Sequence, residues 1–442
     1  ELVAAVDIFC EKYNGVVLCD YTSNYNGKYG IFASLITCQE WYRSSCCLID
    51  LLIHIGDVSG TTWRLFPKEV WRVNPDGKIR DTFHKLTYVY EMEELEFFQG
   101  YIKKCRKKAG TSYYEKWKRE YMEIENNISE LPFSNIWIAK NTVNRLPENC
   151  VLYLGILNSL RTWNFFAPSK VIRGYANTGG FGIDGAISSL IGASLYQKDK
   201  LYFGVVGDLG FFYDMNVLGN RHIGKNVRII VINNGKGTEF RNYYHPGNKF
   251  GEDADLFIAA AGHFGNKSKS LLKHYAQDLG FEYLCAENKE QYVEKIDYFI
   301  NKEIEKSMIF EIFTNSDEES GALKIIRNLV TCISKKDDVY KLLGEGQFKK
   351  IGIFTASKVA SYIIKSVVEI DFLREAEIFI YDSNQRIQGT CLEGYKIRSP
   401  KNIEEDDIEL LIIASDLYFD EIYEKYRYLE ERGIQIKGIK NV

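Results

Sequence analysis

Apolar and polar positions along this 442-residue chain follow two alternating patterns. Short, nearly unbroken apolar runs read as strands of a buried parallel sheet, and longer stretches with helical spacing separate them. In residues 1–130 the runs are GVVLCDYT, CCLIDLLIHIGD and EVWRVNP, with IDLLIHIGD read as a central strand. In residues 131–335 they are VLYLGILN, KVIRGYAN, LYFGVVGD, VRIIVIN and SMIFEIFT. In residues 348–442 they are KKIGIFTAS, AEIFIYDSN, IELLIIASD and IQIKGIKNV. Strands alternating with helices predict an α/β protein of consecutive parallel-sheet domains, 1–130, 131–335 and a small Rossmann-like 348–442. The stretch 105–130 reads as a charged connecting helix, and DYTSNYNGKYG (20–30) as a surface turn held by Asn and Gly or a substrate-facing edge.

Composition adds mainly exclusions. Apolar residues make up 45% and aromatics 14%, enough for sizeable cores. A net charge of −4 with both signs dispersed gives no electrostatic case for nucleic acid. The basic run KKCRKK (103–108) reads as a solvated helix face. No apolar stretch reaches the ~18 residues of a membrane span, and no signal-peptide pattern opens the chain. The ten cysteines are scattered without a C-x-x-C pair, which predicts free thiols in a reducing cytoplasm rather than a zinc site or a disulfide scaffold. His54, inside an apolar run, reads as a satisfied core side chain rather than a base.

Chemistry concentrates between Gly207-Asp208-Leu209 and Asn233-Asn234-Gly235. An acidic residue ends one strand, a helix follows, and an Asn pair ends the next strand. One βαβ unit brings Asp208 and Asn234 to the same carboxyl edge of a parallel sheet, where ligands of such sheets bind. A carboxylate, an amide oxygen and a loop carbonyl are the hard ligands that Mg²⁺ prefers, with diphosphate oxygens completing its shell. The helix starting at Leu209 turns free N–H groups towards the same diphosphate. A second segment, RGYANTGGFGIDGAISSLIGA (173–193), is rich in glycines that let backbone approach a ligand. Taken separately, either segment is an ordinary βαβ turn. The loop GKGTEFRNYYHPGNKFGEDADLF carries Glu239, His245 and Lys249, and reads as a lid, a substrate contact or a mobile surface loop. Asn158 and Ser159, at another strand end, are further pocket candidates.

Together these motifs resemble the thiamine diphosphate (ThDP)-dependent 2-oxo-acid decarboxylase/carboligase family, and within it the menaquinone-pathway SEPHCHC synthases. The likeness runs through Gly207-Asp208-Leu209, Tyr213-Asp214-Met215-Asn216 and Asn233-Asn234, then through Asn177, Gly179, Gly182-Ile183-Asp184-Gly185, Ser188 and Gly192. It implies a middle domain (1–130) and a diphosphate- and Mg²⁺-binding domain (131–335). It implies metal ligands from Asp208, the Asn234 side chain and the Lys236 carbonyl. The implied cofactor cradle is Gly182, Ile183, Gly207, Asp208, Leu209, Gly210, Asn234, Lys236 and Gly237, with carbonyls near Phe181 and Gly182 on the aminopyrimidine. The implied catalytic set is Ile183, which bends the cofactor, with Glu239 and His245. Thr178 and Phe181 stand where the menaquinone enzymes carry Arg and Ser, so a carboxylate clamp is missing and the same substrates are not implied.

The resemblance further implies a 2-oxo acid substrate, decarboxylation with or without transfer to an acceptor, and a homo-oligomer, dimer or tetramer. The family also has a pyrimidine-binding domain for which no block of this chain is left. The expectation is a piece of a longer enzyme, or a partner chain supplying that half, with the isolated chain turning over little. In residues 348–442, Asp382 ends a strand where a ribose-binding acid often sits. Gly352-Ile353-Phe354-Thr355-Ala356-Ser357-Lys358 is a poor phosphate loop, so a structural or oligomerising role leads over nucleotide-sugar or nicotinamide binding. A non-catalytic ThDP-fold protein is the other open reading.

Overall fold

The computed structural model describes residues 1–40, 42, 44–56, 64–106, 108–178, 182–260, 268–330, 342–343, 348–368, 376–415 and 418–438. They form two compact units, one of Glu1–Gln39 and Arg43–Leu329, the other of Glu40–Tyr42 and Val330–Val442.

In the first unit the early strands make two small parallel sheets. β1 (Val17–Cys19) pairs with β2 (Gly30–Phe32), and β3 (Leu48–Ile55), β4 (Phe66–Val73) and β5 (Leu86–Tyr90) pair in that order. The IDLLIHIGD strand is therefore an edge among the described strands, and β4 is central. An unbroken apolar run does not distinguish the two positions. His54, on β3, is half-buried with its ring edge-on to Phe83. The helices Leu2–Tyr13 and Glu94–Lys104 cover this region with Ala5, Val6, Phe97 and Phe98 against Val73. Lys12 Nζ donates to the Ile102 and Cys105 carbonyls at 3.0 and 2.8 Å, satisfying the end of the second helix. The predicted charged helix is real but shorter, Ser112–Asn126.

The apolar runs of the middle of the chain form β6 (Val151–Leu154), β7 (Arg173–Ala176), β8 (Tyr202–Gly207), β9 (Val227–Asn233), β10 (Glu282–Ala286) and β11 (Met308–Phe313). They make one six-stranded sheet, order β10-β11-β9-β8-β6-β7, parallel throughout. Valine and isoleucine fill β9 because helices cover both faces. Ile187, Leu190 and Ile191 of the helix Ala186–Ser194 pack there with Phe211. The chain runs from β6 outward to β7, then returns to β8 on the other side of β6. The crevice at the carboxyl ends of β6 and β8 is thus a topological switch point.

The DYTSNYNGKYG segment includes a turn held in part by Asn24 and tied to the rest of the first unit. Asp20 caps a short helix, Tyr21 is buried, and Tyr21 N donates to Asn164 Oδ1 at 3.0 Å. Asn24 exchanges two 2.8 Å hydrogen bonds with the Gly174 backbone on edge strand β7. Short polar side chains that mimic a strand partner carry little signal in an alternation pattern.

The second unit holds β12 (Lys350–Phe354), β13 (Glu377–Tyr381), β14 (Cys391–Leu392), β15 (Tyr395–Arg398), β16 (Leu410–Ile413) and β17 (Gln435–Gly438), order β14-β15-β13-β12-β16-β17. All pairs are parallel except β14–β15. Apolar clusters cover both faces, one with Ile353, Ile363 and Ile380, the other with Phe354, Leu411 and Leu429. The α/β class and the Rossmann-like order of this unit agree with the sequence pattern. Among the described residues no helix is long and apolar enough to cross a membrane.

Gly174 tests the docking of the 20–30 segment. A Cβ there would lie 2.3 Å from the Tyr21 carbonyl oxygen, a backbone atom that cannot swing aside. Gly174→Ala is expected to destabilise the first unit by about 1–3 kcal/mol, read as a lower midpoint in urea.

Candidate cofactor site

β8 and β9 pair in parallel with Gly207 opposite Ile232, so the residues following each strand emerge at one edge. Asp208 begins the helix Asp208–Asp214, one residue earlier than the sequence suggests, and is 2% exposed. Its Oδ2 accepts the Gly235 N–H at 3.1 Å, which joins the carboxylate to the turn carrying Asn234. Asn234 Oδ1 accepts the Lys236 N–H at 3.4 Å. The Lys236 ammonium turns aside to Asp255, 2.6 Å away, so the charge of this residue is spent on the loop.

Glycines bring the remaining cradle residues together. A Cβ on Gly210 would lie 3.2 Å from the Ile183 carbonyl oxygen, so the helix passes tightly against Ile183. A Cβ on Gly237 would lie 3.3 Å from the Ala259 carbonyl and 3.6 Å from Leu209 Cδ1. Gly182, Ile183, Gly207, Asp208, Leu209, Gly210, Asn234, Lys236 and Gly237 therefore share one sheet edge. Asn177 Nδ2 donates to the Asp184 carbonyl at 2.9 Å beneath Gly185, whose φ of 77° suits glycine. Asp214 accepts the Ser188 N–H at 2.6 Å and also its hydroxyl, tying the two motif helices together. Gly179 and Phe181 lie outside the described residues.

The donor chemistry fits a hard cation: a carboxylate and an amide oxygen at neighbouring strand tips, with backbone carbonyls beside them. Among the described residues no group of three His, Cys, Asp or Glu could hold a metal. An ion here would complete its shell with carbonyl, water or phosphate oxygens. Cys10, Cys19 and Cys150 are buried, unbridged thiols that burial pushes up to about 12, so they stay protonated at neutral pH.

The loop after β9 is clamped. Arg161 Nη1 sits 2.6 Å from Glu239 Oε1, and Tyr244 Oη donates to the same oxygen at 3.4 Å. With its amide nitrogen turned to Glu239 Oε2 at 2.7 Å, Asn158 accepts from Thr238 Oγ1 and Glu239 N at 2.7 and 3.0 Å. Tyr243 N donates to Ser320 Oγ at 2.8 Å, and the Arg327 guanidinium stacks 4.3 Å over the Tyr244 ring. His245 Nδ1 accepts the Gly247 N–H at 3.0 Å, with Phe240 against its ring. Glu239 and His245, read from sequence as catalytic candidates, thus both have structural partners. Lys249 is exposed.

Sequence reasoning missed three groups here. Leu157, following β6 at the switch point, holds φ 68° and ψ −114°, a strained backbone for a branched residue, of order 1–3 kcal/mol. Arg161 gave no motif. Glu319, buried on the helix Ser316–Ile326, accepts from Thr314 Oγ1 at 2.7 Å and from Asn135 N at 3.0 and 3.1 Å. It borders a small cavity (≈ 10 Å³, about one water) with Asn158, Thr162, Thr238 and Asn242. Burial pushes its carboxyl up to about 7. An acid at helical spacing among surface carboxylates gives no hint of this.

Relatives of known activity share this part of the chain. The 2-succinyl-5-enolpyruvyl-6-hydroxy-3-cyclohexene-1-carboxylate (SEPHCHC) synthase of Bacteroides fragilis is 33% identical over 260 residues, 58% of this chain and 45% of that enzyme. The Bacteroides thetaiotaomicron synthase is 32% identical over 259 residues, 58% of this chain and 44% of its own length. Over that stretch the chain is similar to these synthases. The chain spans under half the length of these synthases. The Rhodococcus jostii thiamine diphosphate-dependent 4-hydroxybenzoylformate decarboxylase aligns over 72% of this chain and 59% of its own, with 15% identity and a TM-score of 0.48. No family model matches the chain.

Glu319 gives the first unit a pH signature. Its folded value lies above the ordinary carboxyl value of 4.5, so the folded state holds the proton more tightly. That contribution is fully present below pH 4.5 and is lost as pH rises through about 7. Glu319→Gln, permanently neutral, is expected to gain stability over the parent as pH rises from 5 to 8, by about 3 kcal/mol. Urea unfolding at both pH values checks it.

Proposed function

We propose that this chain carries the diphosphate and Mg²⁺ half of a ThDP-dependent enzyme acting on a 2-oxo acid, by decarboxylation with or without carboligation to an acceptor. The observation that carries the reading is the hydrogen bond from Gly235 to Asp208, which sets a carboxylate beside the Asn234 turn at a sheet edge. In this reading Asp208, Asn234 and the Lys236 carbonyl hold the metal. Gly207, Leu209, Gly210 and Gly237 leave room for diphosphate, and the N-terminus of the helix Asp208–Asp214 faces its charge. Gly182 and Ile183 support the ring end of the cofactor. When bound, thiamine diphosphate supplies the electron sink for the electrons left behind as CO₂ departs.

The chain's own residues position and shield. Ile183, close against Gly210, would offer the cofactor an apolar contact that does not compete for a proton. Glu239 holds the loop to Arg161, and His245 holds the turn at Gly247; both shape the pocket wall. Residues 1–130 are the middle-domain counterpart, 131–335 the diphosphate domain and 348–442 an appended Rossmann-like module. A pyrimidine-binding domain from another segment or subunit, within a homo-oligomer, completes the site.

Nucleotide binding by the second unit is disfavoured. Asp382 Oδ2 accepts the Ala356 N–H at 2.8 Å, so the acid occupies the amide that a phosphate loop would offer.

Asp208→Ala is expected to weaken Mg²⁺-dependent ThDP retention at least ~100-fold, about 3 kcal/mol, while Asp382→Ala leaves it unchanged. Equilibrium dialysis of both variants in the completed enzyme decides; equal retention would refute the site. Ile183→Ala is expected to keep retention and to lower turnover at least ~10-fold.

A further inference from the structure

The Asn-Asn pair ending β9 has two members, and the metal reading uses one. Asn233 is buried, and its Nδ2 donates to Glu311 Oε1 at 2.7 Å. Glu311 lies on neighbouring β11, 1% exposed, and its Oε2 accepts the Tyr283 hydroxyl from β10 at 2.6 Å. The register explains the meeting. Glu311 stands opposite Val231 and Cys285, so Asn233 and Tyr283, each two residues away, share its face of the sheet.

Stability alone does not account for this carboxylate. Its strand neighbours Met308, Ile309, Phe310 and Ile312 are all fully buried apolar residues. A buried acid whose partners are a hydroxyl and an amide is a poorer core residue than leucine. Its geometric effect is specific. Successive residues of a strand point to opposite faces, so fixing Asn233 on the Glu311 face turns Asn234 to the other. The next amide, Gly235, then reaches Asp208.

We propose that Glu311 is a positioning residue. Through Asn233 it fixes the Asn234–Lys236 turn against Asp208, and so sets the geometry in which the metal is held. The inference rests on the proposed metal site and adds the group that orients it, two strands from Asp208.

The test compares the 442-residue chain with Glu311→Gln, Glu311→Leu and Asp208→Ala. Mn²⁺ is titrated at saturating ThDP and free ion is followed by electron paramagnetic resonance. Amide exchange of the 234–237 peptide and thermal midpoints are measured alongside. Glutamine still accepts from Asn233 and can donate to the Tyr283 oxygen, so it is expected to bind Mn²⁺ like the parent. Leucine is expected to weaken Mn²⁺ at least ~10-fold and to speed 234–237 exchange, with no loss of thermal midpoint. A merely structural role would lower the midpoint and leave Mn²⁺ affinity unchanged. Parent-like Mn²⁺ binding and exchange in folded Glu311→Leu overturns the inference. If Asp208→Ala also binds like the parent, the metal reading fails; in that case, or if the 442-residue chain alone binds no Mn²⁺, exchange alone decides whether Glu311 orients the turn.

Discussion

A hydrogen bond between the ends of two adjacent parallel strands organises this part of the molecule. Gly235 reaches Asp208 because β8 and β9 run in the same direction, in register, and stop within a residue of each other. Antiparallel neighbours would have put one strand end at each edge of the sheet. A parallel pair needs a crossover helix, and the start of that helix is where Asp208 sits. The carboxylate, the amide turn and the helix N-terminus therefore come from one supersecondary unit.

The opposite edge of the same sheet is built for holding together. Arg228, near the start of β9, is fully buried and donates to the carbonyls of Phe299, Lys225 and Ile304 at 3.1, 2.9 and 2.5 Å, and to those of Val227 and Lys306. Burial lowers its pKa to about 10, so it stays charged at neutral pH. Its partners are backbone carbonyls at the start of β9, at the end of the helix Lys289–Ile300 and in the turn before β11. One strand thus begins on a stabilising cation and ends on the turn beside an acidic residue.

The sheet was legible because its signal is redundant. Unbroken apolar runs, glycine at Gly207 and Gly210, and the Asp208…Asn234 spacing all point to one βαβ unit. The parts that stayed hidden depend on single polar residues whose meaning lies in a distant partner. Asn24 reads as a turn residue until Gly174 is seen beside it. Glu311 and Arg161 belong to no motif, and their meaning lies in Asn233, Tyr283 and Glu239. IDLLIHIGD lies at an edge among the described strands with Leu48, Leu51 and Ile55 exposed, so its apolar run reports neither burial nor strand order.

The loop after β9 raises a choice between lid and wall, and magnitudes decide it. A lid must open at a cost of only a few kcal/mol, since a state about 3 kcal/mol up is populated below 1%. Opening here would separate Arg161 from Glu239, and Lys236 from Asp255. Those side chains are 26%, 15%, 21% and 8% exposed. Exposed ion pairs are worth about 0–1 kcal/mol each, but parting charges this sheltered leaves them poorly solvated, at about 3 kcal/mol or more for a fully buried pair. Two such pairs, with the Asn158 network and the Arg327–Tyr244 stack, exceed what a routinely opening lid tolerates. In the structure these pairs tie the described part of the loop to the rest of the first unit. Glu239 is held by Arg161 and Asn158, and His245 by the Gly247 amide, so both side chains have partners within this unit.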